Sequence, residues 1–195
     1  MALSKQAKTL SKPQIDALLA YVTGTRYALR NRVILLLSLR AGLRAKEIAS
    51  LTWAMVTDAQ GAIDDHLRLQ DRASKGRSGR TIPLNRELKQ ALIQLKAEPR
   101  RGRPSLHVIS TERSAATSAQ AIVNLFARWY QGLGFHGCSS HSGRRTFITN
   151  AARKIGTVGG SLRDVQMLAG HSGLSTTQRY IEADADAQKK IVQLV

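Results

Sequence analysis

The stretch HSGRRTFITNAARKI, residues 141–155, opens on a histidine and two arginines and then turns apolar. Phe147, Ile148, Ala151, Ala152 and Ile155 recur at helical spacing, so one side of the segment is expected to face a core. Arg144 stands four residues before Ile148 and seven before Ala151, and His141 stands three before Arg144. Both therefore extend the core-facing stripe instead of the solvent face. AGLRAKEIASLTW, residues 41–53, repeats the oddity: Arg44 is four before Ile48 and seven before Leu51. Glu47, three residues on, can reach back to orient it.

A buried arginine is expensive unless it is paired. Acidic residues are scarce, 13 against 30 Lys plus Arg, so two separate arginine–carboxylate pairs are a weaker explanation than a shared anion. A guanidinium stays charged and binds two oxygens at once, and a pair of them suits a phosphodiester. The formal charge of +17 points the same way, to a polyanionic partner, with nucleic acid first. A ribosome-associated or merely well-solvated basic protein is the bland alternative. With 43% hydrophobic and 22% charged residues, the 195-residue chain can bury a core and is not of the disordered class.

Cys138 is the single cysteine, which excludes an intramolecular disulfide framework. The apolar run VILLLSL (33–39) is too short to span a bilayer, and the first ten residues carry no signal-peptide pattern. A soluble, cytoplasmic protein, nucleoid-associated when on DNA and without a membrane partner, is the expectation.

Along the chain, Ser11 and Pro13 open a first helix in TLSKPQIDALLAYV (9–22), and a buried helix runs to Gly42. A short helix over 45–53 follows. HLRLQ (66–70) and RTIPL (80–84) read as a β-hairpin with a basic, glycine-containing tip. Asn85 caps an amphipathic helix, LHVIS (106–110) reads as a short strand, and residues 117–134 form another helix. Ser139 or Ser140 is the expected cap of the 141–155 helix. Two short helices, SLRDVQMLAG (161–170) and STTQRYI (175–181), complete the pattern, and the tail reads as a last one. The fold class is α+β, mainly α-helical with one small antiparallel sheet.

Three further residue types carry chemistry. Lys75 at the hairpin tip can reach into a groove and donate a proton. His171 follows Gly170 beyond a helix end, and Tyr180 offers a phenol that needs activation to attack at neutral pH. Each alone reads more simply as a surface or packing residue. His136, Cys138 and His141 suggest metal ligands, but their spacing fits no familiar zinc pattern. No P-loop or GxGxxG unit is present.

Taken in order, AGLRAKEIASLTW, SKGRSGRTIPL (74–84), HSGRRTFIT (141–149) and LAGHSGLSTTQRY (168–180) resemble the catalytic domain of the tyrosine recombinase (phage integrase) family. His171 and Tyr180 are nine apart, as in that family's pattern, and the likeness covers nearly the whole chain. The resemblance implies a tyrosine recombinase catalytic-domain fold and six catalytic residues. Tyr180 attacks a DNA phosphodiester and forms a 3′-phosphotyrosine link. Arg44 and Arg144 hold the non-bridging oxygens. Lys75 protonates the leaving 5′-oxygen, His141 assists proton transfer, and His171 hydrogen-bonds the phosphate. Glu47 matches the acidic position that supports the first arginine. Arg77, Arg80, Arg145 and Arg179, which flank these boxes, are assigned to DNA binding. No cofactor is implied: the protein link keeps the bond energy, and the arginines supply the charge a metal would bring.

The expected activity is site-specific recombination: integration, excision or inversion of a DNA segment from a phage or mobile element. Expected partners are double-stranded DNA, further copies of the chain (dimer to tetramer) and an accessory DNA-bending protein. The alternatives are a non-catalytic DNA-binding regulator of the same fold and a type IB topoisomerase-like activity. Residues 1–10 are expected to be an N-terminal extension, 11–183 the catalytic domain and 184–195 a tail that docks on a neighbouring protomer. Family members usually carry a separate N-terminal clamping domain, for which residues 1–10 leave no room; a short member with little beyond the catalytic domain, a degenerate relic of a mobile element and a truncated chain are equal alternatives.

Overall fold

A computed structural model describes residues 7–71, 79–99, 105–112, 114–180 and 192. Its helices are α1 (Lys12–Thr23), α2 (Ala28–Arg40), α3 (Ala45–Ser50), α4 (Arg86–Ala97), α5 (Ala119–Gly132), α6 (Ser142–Lys154), α7 (Leu162–Ala169) and α8 (Leu174–Gln178). Strands β1 (His66–Leu69) and β2 (Arg80–Pro83) pair antiparallel, Leu67 facing Ile82 and Leu69 facing Arg80. Mainly helical with one small sheet is therefore the observed architecture.

Helix α2 is the centre of the molecule. Residues Val33 to Leu39 are all buried, so this helix has no solvent stripe and is packed on every side, as an all-round apolar helix must be. α1 lays Leu18 and Val22 against it, and α4 lays Leu88, Leu92 and Leu95. Phe126, Trp129 and Tyr130 of α5 complete the main core. A second, much smaller cluster lies between α6 and α7: Ile148, Val165 and Ala169, flanked by Phe147, Ala151, Ala152, Ile155, Leu162 and Tyr180. The apolar stripe of residues 147–155 belongs to this second cluster.

Local chemistry sets the helix starts. Ser11 and Gln14 form a reciprocal capping box at α1, and the Asn85 side chain accepts from the Glu87 N–H at 3.0 Å. α2 stops at a turn through Gly42, φ +63°. A Cβ there would lie 2.5 Å from the Phe147 ring of α6, so both the backbone and the close approach require glycine. Gly143 is needed for its close approach: a Cβ would clash with the Ser38 hydroxyl of α2. The first turn of α6 is pressed directly on α2.

That pressure changes how α6 begins. Neither Ser139 nor Ser140 is the cap; the N-cap position is His141, with no side-chain cap bond. A tight turn replaces it, in which the Ser142 N–H donates to the Ser139 carbonyl at 2.8 Å and the Ser142 hydroxyl accepts the Ser139 N–H at 3.0 Å. LHVIS is also not a strand. It makes one antiparallel bridge, Thr52 with His107, and buries Val108 and Ile109 in the core as a loop. α8 ends at Gln178, earlier than the sequence pattern suggests, and leaves Tyr180 in a turn closed by its N–H on the Thr177 carbonyl at 3.0 Å. The hairpin tip (72–78) and the tail (181–191 and 193–195) lie outside the described residues.

Candidate active site

The site begins under α3. Glu47 is buried, its side chain 1% exposed, and both of its oxygens are used. Oε1 accepts from Arg44 Nη1 at 2.9 Å and Oε2 from the Arg44 N–H at 2.8 Å. Arg80 of β2 approaches the same carboxylate, Nη1 to Oε1 at 3.1 Å and Nη2 to Oε2 at 3.2 Å. Burial works to raise the Glu47 carboxyl, but the bonds and charges of Arg80 and Arg44 outweigh it and hold the group below the ordinary carboxylate range. Glu47 thus stays ionised and fixes Arg44, whose side chain remains partly open to solvent.

The side chain of Arg80, a residue assigned to DNA binding, is 6% exposed and turned inward on Glu47. Its Nε donates to the Leu168 carbonyl at the end of α7, 2.9 Å away. Space for it exists because residue 170 is glycine (φ +62°), where a Cβ would sit 2.8 Å from Arg80 Nη1. Arg80→Ala is expected to cost about 3–5 kcal/mol, because Glu47 stays buried with half of its ion pairing gone. Urea unfolding measures it, and a change under about 1 kcal/mol contradicts the structural role.

Arg144 of α6 is the second anchor, a buried residue. Nη1 donates to the Gly42 carbonyl at 2.6 Å, and Nη2 to the Ala169 carbonyl at 2.8 Å. Gly42 lies two residues before Arg44, and Ala169 two before His171. One guanidinium therefore ties the arginine turn to the histidine turn. Together Arg80 and Arg144 also satisfy two carbonyls at the C-terminus of α7, the end that favours positive charge. Burial, then the charge of Arg44, lowers the Arg144 pKa, yet a guanidinium remains charged at neutral pH.

Arg144 Nη2 also lies 3.0 Å from His171 Nε2. A guanidinium only donates, so Nε2 is the acceptor and the ring is neutral with its proton on Nδ1. Nδ1 faces the Thr177 hydroxyl at 2.9 Å, which fits this assignment. Burial, then the charges of Arg144, Arg44 and Arg80, pushes the His171 pKa down to about 4. His141 sits at the exposed rim, one turn before Arg144. Desolvation of its inner side, then the charges of Arg144 and Arg44, lowers its pKa too.

A folded-state pKa below that of the unfolded chain means that the unfolded state takes up the proton first. Stability tied to His171 is therefore present above pH 6.5 and is lost as the pH falls toward 4. The thermal midpoint is expected to drop across this window, and His171→Asn to drop less. Equal slopes in the two proteins would contradict a neutral, buried imidazole.

Tyr180 packs on the small cluster. Its ring stacks on His171, centroids 5.6 Å apart and planes at 23°, and the Arg145 guanidinium lies 5.9 Å from its centroid. Arg44, Arg144, His141, His171, Tyr180 and Glu47 are thus brought to one place. Three guanidiniums against one carboxylate leave two positive charges in excess. Arg44 Nε and Nη2 and Arg144 Nε have no hydrogen-bond partner among the described residues, so they remain for an anion. Arg145 lies beside Tyr180, Arg179 is exposed just after α8, and Lys75 and Arg77 lie outside the described residues.

Sequence reasoning missed Thr177 and the inward role of Arg80. Arg80 carried no local sign, since its partners lie 33 and 88 residues away. Thr177 is fully buried in a polar segment where no apolar period marks it.

The sequence and the fold both have known relatives. The chain is 34% identical to the tyrosine recombinase XerD of Xanthomonas campestris pv. campestris, over 89% of this chain and 54% of that protein. It is 33% identical to the XerD of Pseudomonas putida, over 89% and 56%. The chain thus spans little more than half the length of these curated relatives. In fold it matches the Tn1549 transposon integrase in complex with a circular intermediate DNA, TM-score 0.77 at 19% identity, over 99% of this chain and 67% of that one. It also matches a lambda integrase dimer bound to a COC′ core site, TM-score 0.70 at 20% identity, over 94% and 52%. The model of the phage integrase family matches residues 8–187, and the chain belongs to that family.

Proposed function

We propose that this chain cleaves and rejoins DNA at a specific site through a covalent link to Tyr180. One observation carries the reading: Arg44 and Arg144 converge on one spot with unused donors, beside a tyrosine and two histidines of lowered pKa. Tyr180 Oη gives up its proton, a transfer assigned to His141, and attacks the phosphorus; the bond from phosphorus to the 5′-oxygen breaks, and a 3′-phosphotyrosine forms. The leaving oxygen takes a proton, a role assigned to Lys75. A 5′-hydroxyl then attacks the phosphotyrosine and restores a phosphodiester. Attack by a phenolate places two negative charges around phosphorus, and the site holds two positive charges in excess. Fixed charge of this kind is what phosphoryl transfer requires.

The +17 net charge suits the rest of the duplex, with backbone contacts that weaken as salt rises. Arg145 and Arg179 are proposed backbone contacts beside the nucleophile. A dimer to tetramer on DNA, with an accessory bending protein, is the proposed assembly, at work in the cytoplasm. The tail, residues 184–195, is proposed to dock on a neighbouring protomer in that assembly.

The test is covalent capture. The protein is incubated with sheared genomic DNA from its source and denatured, and the protein-linked fragments are sequenced at their 3′ ends. Linkage at one recurrent sequence supports a specific recombinase. Salt-sensitive binding without linkage supports the regulator reading instead. Exchange of strands between two marked duplexes separates recombination from topoisomerase-like resealing of the same strand.

A further inference from the structure

We propose that Thr177 is a positioning residue that lets His171 move its proton from Nδ1 to Nε2 when a phosphate arrives, so that the ring donates while staying neutral. The proposal rests on the phosphodiester reading above. In the DNA-free site Nε2 accepts from Arg144 Nη2 at 3.0 Å. To hydrogen-bond a phosphate oxygen, Nε2 must instead carry a proton. Protonating the whole ring is opposed by its burial and then by the guanidiniums of Arg144, Arg44 and Arg80, which together depress its pKa.

A tautomer change avoids that cost. It needs a partner at Nδ1 that accepts a proton in one state and donates one in the other. A carboxylate or a backbone carbonyl only accepts, whereas a hydroxyl does both. The Thr177 Oγ1 sits 2.9 Å from Nδ1 and is fully buried, so solvent does not compete for either state. As the phosphate enters, Arg144 Nη2 is released from Nε2 while keeping the Ala169 carbonyl at 2.8 Å. Nε2 takes a proton from water that enters with the phosphate, and Nδ1 gives its own up to water while the ring is transiently open; the Thr177 hydroxyl then rotates, Nδ1 becomes the acceptor, and Nε2–H points at the phosphate. The proton count of the ring is unchanged, and so is its charge.

Thr177→Val and Thr177→Ser separate this role from packing. Valine keeps the shape and removes the hydroxyl; serine keeps the hydroxyl and removes a methyl. Thr177→Val is expected to slow cleavage at saturating DNA about 10- to 100-fold with unchanged DNA affinity, the size of a buried polar group left unpaired. Thr177→Ser is expected to remain within a few-fold of wild type. A packing role reverses that order and overturns the proposal.

Nitrogen-15 spectra of the His171 ring supply a readout that does not need turnover. Free protein at neutral pH is expected to show the Nδ1–H tautomer. The Tyr180→Phe protein bound to a duplex carrying the captured site is expected to show Nε2–H. Nε2–H in the free protein, or a protonated ring on DNA, sinks the proposal. Failure of the recombinase reading looks different: wild type forms no adduct at all, whatever stands at 177.

Discussion

Tyr180→Phe is expected to abolish covalent capture of DNA, by at least about 10³-fold, and to leave DNA affinity within about twofold of wild type. The substitution removes one oxygen and keeps the ring. The stack on His171 at 5.6 Å and the place beside Arg145 therefore survive, as does the contact with the small cluster. Nothing that grips the duplex is touched. Gel-shift titration across salt and denaturing recovery of adducts read the two quantities separately. Adducts persisting in the variant would identify a different nucleophile. Affinity falling together with capture would mean that the phenol serves mainly to bind.

Arg144→Ala is expected to cost about 10²–10³-fold in the rate of cleavage, the range found when one fixed donor to a developing oxyanion is removed. Here the loss has a second part. Arg144 also donates to Gly42 and Ala169 and touches His171, so its removal unties both turns that carry site residues. Arg144→Lys isolates that part. It keeps the charge, but one ammonium cannot reach two carbonyls on different elements and also face a phosphate. The lysine variant is expected to recover less than about tenfold of the loss. Near-complete recovery would show that charge alone matters and that the clasp is incidental. Thermal midpoints of both variants separate lost chemistry from lost folding.

Much of this was readable in the sequence, for identifiable reasons. Ser11 with Gln14 and Asn85 cap helices by contacts within a few residues, so local pattern is enough to find them. The hairpin declared itself by β-formers on each side of a glycine-containing turn. Arg44 and Arg144 declared themselves by standing in apolar stripes, and Glu47 by lying one turn from Arg44. What escaped was set by contacts between distant segments. Arg80 looked like one more basic residue of a basic hairpin, and only the approach of α3 and α7 turns it inward. Ser139 and Ser140 have the composition of a cap, but the pressing of Gly143 on Ser38 imposes a turn. LHVIS has strand-like residues and no neighbour to pair with beyond one bridge.

The unequal hydrophobic clusters give the molecule two levels of local stability. α2 and its neighbours hold the large one; Tyr180 and His171 ride on the small one. Between them runs a seam stitched by Arg80 and Arg144, which reach across to the last carbonyls of α7. Opening that seam exposes far less apolar surface than opening the whole chain, so it is a sub-global event of lower free energy. Tyr180 and the end of α7 can thus move away while the arginine turn, held by Glu47, keeps its shape.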